Sequence, residues 1–120
     1  MERIGNGFAR NYNLSILNMT DNLLTQIDSV AFAHNQNLCV LDLCNNKIGE
    51  KVPKGDTEAM HEFRQELMLN IPPSLLMLDL SGNPCAISHN DKVTNALINY
   101  RKPFVVGLPN LEKLDGVDVL

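Results

Sequence analysis

One spacing recurs three times along the chain and limits what it can fold into. Leu14, Leu17, Met19, Asn22 and Leu24 form the first copy, and Leu38, Leu41, Leu43, Asn46 and Ile48 form the second. Leu75, Leu78, Leu80, Asn83 and Cys85 form the third. Each copy reads L-x-x-L-x-L-x-x-N-x-L, softened at Met19 and Cys85. Self-similarity of this kind means a stack of like units, none of which buries its apolar side alone. Within a copy, Leu17 and Met19, Leu41 and Leu43, or Leu78 and Leu80 alternate with other residues, as on a short strand with one buried side. The spacing therefore predicts a row of parallel strands joined by returning segments, with the leucines turned inward.

The first two copies lie 24 residues apart, and the likeness reaches upstream of the leucines. Phe8, Asn11 and Asn13 precede Leu14 as Phe32, Asn35 and Asn37 precede Leu38. Phe8 and Phe32 are expected to fill the core on the returning side. Residues 1–13 read as the tail of an earlier repeat whose strand is missing. The alternative is an improvised helix carrying Ile4, Phe8 and Tyr12 on one side, which Gly5 and Gly7 disfavour. On the first reading the array has an open N-terminal edge, which a neighbouring protein or further repeats would cover.

From Leu38 to Leu75 the interval widens to 37 residues, and the added length belongs on the returning side. Val52–Asp56 has turn composition, and Asp56 or Thr57 is placed to cap a helix ending near Asn70. Met60, Phe63, Leu67 and Ile71 recur at helical spacing and should face the core, with Glu58, Glu62, Arg64 and Glu66 on other sides. Pro72 and Pro73 stop this helix. A second helix is expected from Asn90 or Asp91 to Arg101, burying Val93, Ala96, Leu97 and Tyr100 and ended by Pro103. Leu108–Val119, centred on Leu111, Leu114 and Asp115, reads as a closing turn that shields the last repeat. The expectation is one domain over 1–120: an incomplete repeat at 1–13, repeats at 14–37, 38–74 and 75–107, and a cap at 108–120.

With 120 residues, 44% of them hydrophobic, there is room for one elongated core. The net charge of -4 and the scatter of the 10 Lys and Arg residues count against direct nucleic acid binding. No apolar run approaches the roughly 18 residues of a membrane span, and the first residues lack an apolar signal core. A soluble chain without membrane contact is expected. The 3 cysteines, odd in number and without C-x-x-C spacing, favour a reducing, intracellular setting. His34, His61 and His89 fall in separate repeats on returning or loop segments, so no metal site is expected. Cys39 and Cys44 fall on opposite sides of their strand and its flank, so no bond between them is expected. Cys85 takes the place of a buried aliphatic residue. Ser81–Asn83 is a strand-to-turn feature rather than a phosphate loop, and no nucleophile has a base at an interpretable spacing. Neither catalytic residues nor a cofactor are expected.

Asn22, Asn46 and Asn83 stand at the turn out of each strand, where an inward amide bonds backbone groups of its own and adjacent coils. They read as structural. Binding residues are sought on the opposite side of the strands, alternating with the buried leucines. These are Ile16, Asn18 and Thr20, then Val40, Asp42 and Cys44, then Met77, Asp79 and Ser81. Across the strands they make an apolar row, an acidic row and a row of small side chains. An apolar strip beside carboxylates suits a helix or extended peptide bearing Leu or Phe together with Lys or Arg.

The three copies and the closing Leu111–Val119 turn resemble the intracellular leucine-rich repeat proteins, a family with phosphatase-regulating, spliceosomal and axonemal members. Pro72–Cys85, Lys92–Leu97 and the Leu114–Gly116 turn are similar to the C-terminal repeats of its ciliary members. The 24-residue spacing with Phe8 and Phe32, and the extension holding Met60–Leu67, depart from the axonemal pattern. The resemblance implies an α/β fold: a short right-handed solenoid, parallel strands on the concave face, helices on the convex face and a C-terminal cap. In that family an aspartate at the Asp42 and Asp79 position is an ordinary consensus residue. The implied role is a non-catalytic scaffold or adaptor, a subunit of a cytoplasmic assembly such as the ciliary or flagellar axoneme. A spliceosomal-type ribonucleoprotein component, or a phosphatase-regulating subunit, is the alternative.

Overall fold

A computed structural model of the chain describes residues 3–4, 7–8, 11–87, 89–90, 97–98 and 100–119. In chain order the elements are β1 (Arg3–Ile4), β2 (Ile16–Asn18), β3 (Gln26–Ile27), β4 (Val40–Asp42), α1 (Thr57–Leu69) and β5 (Met77–Asp79). A 3-10 turn (Pro84–Ala86) follows, then β6 (His89–Asn90), β7 (Leu97–Ile98), α2 (Lys102–Gly107), β8 (Lys113–Leu114) and β9 (Val117–Asp118). The main sheet has the order β2-β4-β5-β8-β9, parallel except for the antiparallel β8–β9 pair. Leu17, Leu41, Leu78 and Leu114 stand in one register column, and the last three are buried. This is the alternation read from the repeat: leucine to the core, its strand neighbours to the other side.

The strands are short because the backbone turns left-handed at the same place in each copy. Asp21 (φ 60°), Asn45 (φ 56°) and Gly82 (φ 75°) occupy equivalent positions just after the strands. Asp and Asn tolerate this region better than other side chains, and glycine without penalty. Gly82 has a second constraint, since a β-carbon there would collide with Asn45 Oδ1 of the preceding coil.

On the returning side, α1 forms as expected. Asp56 caps it, accepting a hydrogen bond from the Ala59 N–H at 2.9 Å. Leu67 and Ile71 are buried, and Met60 and Phe63 pack against the core. The Asn70 side chain ties the far end of the helix to the Ile27 carbonyl at 3.0 Å. Arg64 departs from expectation. It lies one helical turn after Met60, on the inward side, and is buried.

The second helix also requires correction. His89–Asn90 pairs antiparallel with Leu97–Ile98, so their backbone bonds run across the chain rather than along it. Most of that expectation, including Val93 and Ala96, lies outside the described residues. The helix observed here is α2, which contains Pro103 in its first turn instead of ending at it. Proline is suited to that place, because the first-turn N–H groups have no partner within the helix. Phe104 and Leu108 anchor α2 in the core, and α2 packs on α1.

Among the described residues one hydrophobic core joins buried side chains from Met19 to Leu114. At the N-terminal end, β1 pairs parallel with β3, so Arg3–Ile4 does not form the helix considered as the alternative. The Asn11 N–H bonds the Phe8 carbonyl at 3.0 Å, as the Asn35 N–H bonds the Phe32 carbonyl at 3.1 Å. The described part of residues 1–13 thus follows the same course as residues 26–37.

Candidate functional site

Six of the nine residues sought from sequence lie on the main strands, and Thr20, Cys44 and Ser81 follow just after them. Ile16, Val40 and Met77 are partners in strand register, and the row continues into Lys113. Ile16 is 66% exposed and Met77 41%, with Val40 half-buried between them. Asn18, Asp42 and Asp79 form the adjacent register row. A shallow depression of about 140 Å³ runs between these rows, lined by Val40, Asp42, Met77, Asp79, Lys113 and Gly116.

The middle row has a structural task that the sequence reading did not assign. Asn18 Oδ1 accepts the Thr20 N–H at 2.9 Å, and Asp42 Oδ1 accepts the Cys44 N–H at 3.0 Å. Asp79 Oδ1 accepts both the Ser81 N–H at 2.9 Å and the Ser81 hydroxyl at 2.6 Å. Each is the same local turn, in which a short polar side chain bonds the backbone two residues on. The signal was present as Asn or Asp two residues before a small residue in every copy.

In the third row Cys44 Sγ and Ser81 Oγ lie 3.3 Å apart, and Thr20 Oγ1 is buried without a hydrogen-bond partner among the described residues. All three cysteines are free thiols. Cys85 is fully buried, and burial pushes its thiol up to about 12. Among the described residues Asp42, Cys44 and Asp79 gather, with one donor atom of each within 4.8 Å of the others. Such half-buried acidic groups are common on a surface without an ion, and here a carboxylate oxygen of each aspartate already serves its turn. Asp115 adds to the acidity of this end. Its carboxyl is raised from its ordinary value, chiefly by burial and further by the charge of Asp79, against the lowering effect of the Leu80 N–H it accepts at 2.6 Å.

Two of the three turn asparagines bond backbone groups of their own and the preceding repeat. Asn46 is buried, donates to the carbonyls of Met19 and Leu43 at 2.9 Å, and accepts the Leu24 N–H at 3.1 Å. Asn83 repeats this one coil later with the carbonyls of Leu43 (2.8 Å) and Leu80 (2.9 Å) and the Ile48 N–H (3.0 Å). Asn22 is half-buried and bonds only carbonyls of its own coil, Met19 and Thr20. A further asparagine went unassigned. Asn35 is fully buried and donates to the Phe8 and Asn11 carbonyls at 3.1 and 2.8 Å, joining two returning segments. The match of Asn35 with Asn11 across copies was the available clue.

No helix among the described residues is long and apolar enough to cross a membrane. A family model described as leucine rich repeat matches residues 12–55, which holds the first two copies and the turn after them. Comparisons with curated proteins and with solved structures gave no match. The third copy lies outside the matched span, yet Asn83 makes the same bonds as Asn46. The match and the α/β arrangement support a leucine-rich repeat protein. Such repeats generally mediate protein–protein interaction and are typically non-catalytic.

Proposed function

We propose that the solvent side of the main sheet docks a helix or extended segment of another protein, and that the chain acts as a non-catalytic scaffold or adaptor. The observation that carries this reading is the exposed Ile16–Val40–Met77 row lying in register beside Asp42 and Asp79. A single exposed apolar residue needs no explanation, whereas an aligned strip flanked by carboxylates fits an amphipathic segment with basic residues. On this reading residues 14–37, 38–74 and 75–107 are coils of a short right-handed solenoid. Its concave face binds the partner, and 108–120 is the cap. A second neighbour would cover the β2 edge, where Leu14, Leu17 and Asn22 are less buried than Leu38, Leu41 and Asn46. The setting is the cytoplasm, in an assembly such as the ciliary or flagellar axoneme. That choice is supported by the resemblance of 72–85, 92–97 and 114–116.

The test is affinity capture of the tagged chain from ciliated cells, with partners identified by mass spectrometry. Axonemal proteins should co-purify with the natural sequence. They should be lost with Met77→Glu combined with Asp42→Asn and Asp79→Asn, substitutions that keep the turn-forming oxygens, while the melting temperature shifts little. Undiminished capture by the triple variant would remove the sheet face as the binding site. Recovery of spliceosomal or phosphatase proteins instead would replace the axonemal setting.

A further inference from the structure

Arg64 is 2% exposed, although the other charged residues of α1 face solvent. Its Nε–H donates to the Cys85 carbonyl at 2.8 Å and its Nη2–H to the Ile87 carbonyl at 2.6 Å. The Tyr100 ring lies 5.9 Å from its Cζ. Among the described residues Nη1 has no hydrogen-bond partner, and no carboxylate forms an ion pair with this group. Two carbonyl dipoles do not neutralise a buried unit charge, and an unpaired buried ion is costly. Burial accordingly lowers the affinity of this guanidinium for its proton.

The same residue lines a cleft of about 500 Å³ between the 49–57 turn, the first half of α1 and the 84–87 segment. Its apolar walls are Val52, Pro53, Met60, Pro84 and Ile87. Lys54 also lines it and has no ion-pair partner among the described residues. Two acids border the cleft as well, and both are engaged. Asp56 caps α1 through the Ala59 N–H, and Glu50 lies 3.5 Å from the Lys47 ammonium.

We infer that this cleft binds a small aliphatic or aromatic monocarboxylate, its carboxylate neutralising Arg64 at Nη1 and its body resting on the apolar walls. The volume lies in the range of small-molecule sites and accommodates a ligand of about a dozen heavy atoms. A peptide fits less well, because its amide groups would be desolvated against Val52, Met60 and Ile87 without partners. An inorganic anion offers nothing to those walls. The site is separate from the sheet face, and neither reading depends on the other.

The test is titration of the intact, isotope-labelled chain with 4-phenylbutyrate, followed by NMR with the Arg64 Nε–H signal as reporter. A saturable shift by millimolar concentration is expected. The neutral analogue 4-phenylbutanol, inorganic phosphate and a tripeptide with a free carboxylate should each bind about ten-fold more weakly or worse. Val52→Phe fills the cleft and leaves Arg64 in place; it should weaken phenylbutyrate by about ten-fold, and the exposed Lys54→Glu by several-fold. Unchanged denaturation midpoints would show that both variants remain folded. Equal binding of acid and alcohol, or no saturable shift, would reduce Arg64 to a tether between α1 and the 85–87 segment. Tighter binding of the tripeptide would overturn the small-molecule assignment.

Discussion

An asparagine amide with both ends engaged locks two coils in a way that leucine packing alone cannot. Asn46 holds a carbonyl and an N–H of the coil before it, whereas Asn22 bonds only its own coil. Asn46→Ala strands several buried backbone groups, each costing on the order of 1–3 kcal/mol, so a loss of about 3 kcal/mol is expected. Asn22→Ala should cost about 1 kcal/mol, since Asn22 and its bonds are only partly buried. Urea denaturation of the two variants checks the contrast, and equal losses would contradict it. The role of these residues was legible because an asparagine recurs at the same place in all three copies. That of Arg64 was not, because its partners are main-chain carbonyls 21 and 23 residues distant and the residue stands in the one interval without a counterpart in the other copies.

At the scale of elements, α1 was legible from its cap and its apolar spacing, and the strands from their alternation. The pairing of His89–Asn90 with Leu97–Ile98 was not, because Asn90 read as a helix cap and Leu97 as part of a helical stripe, and Pro103 marks a helix start as well as an end. The β8–β9 hairpin is the last pair of the main sheet, and the Asp115 carboxylate in its turn accepts the Leu80 N–H. In the folded chain this carboxyl titrates above its ordinary value, mainly through burial. Between the unfolded and folded pKa the folded state holds more protons, so stability falls as pH rises through that window. Asp115→Asn retains the acceptor and fixes the neutral state. Urea midpoints of variant and natural chain should converge on the acid side and separate as pH rises, with the variant the more stable. A constant offset across pH would show that Asp115 does not titrate as inferred.

Across the whole molecule, burial grades along the stack. Leu41 in the second coil is fully buried, while Leu17 in the same register column is half-buried. Leu41→Ala should therefore cost about 3–4 kcal/mol, and Leu17→Ala about half as much, by calorimetry or urea denaturation. Repeat arrays derive stability from neighbouring interfaces, so a similar loss at both positions would mean that the β2 end is as well covered as the middle. The pairing of residues 16–18, 40–42 and 77–79 was legible because register follows from the leucine spacing. The cleft beside Arg64 was not, since it arises where a long turn, a helix and a distant segment meet.

That turn and helix lengthen the second interval to 37 residues, yet Val40 still pairs with Met77 as Ile16 pairs with Val40. An insertion on one side of a coil has thus left the other side's bookkeeping untouched. Lengthening or trimming the 49–57 turn would remodel the cleft without moving a strand, and substitutions along the sheet would leave the cleft alone. Two surfaces of one small chain are free to change under separate selection.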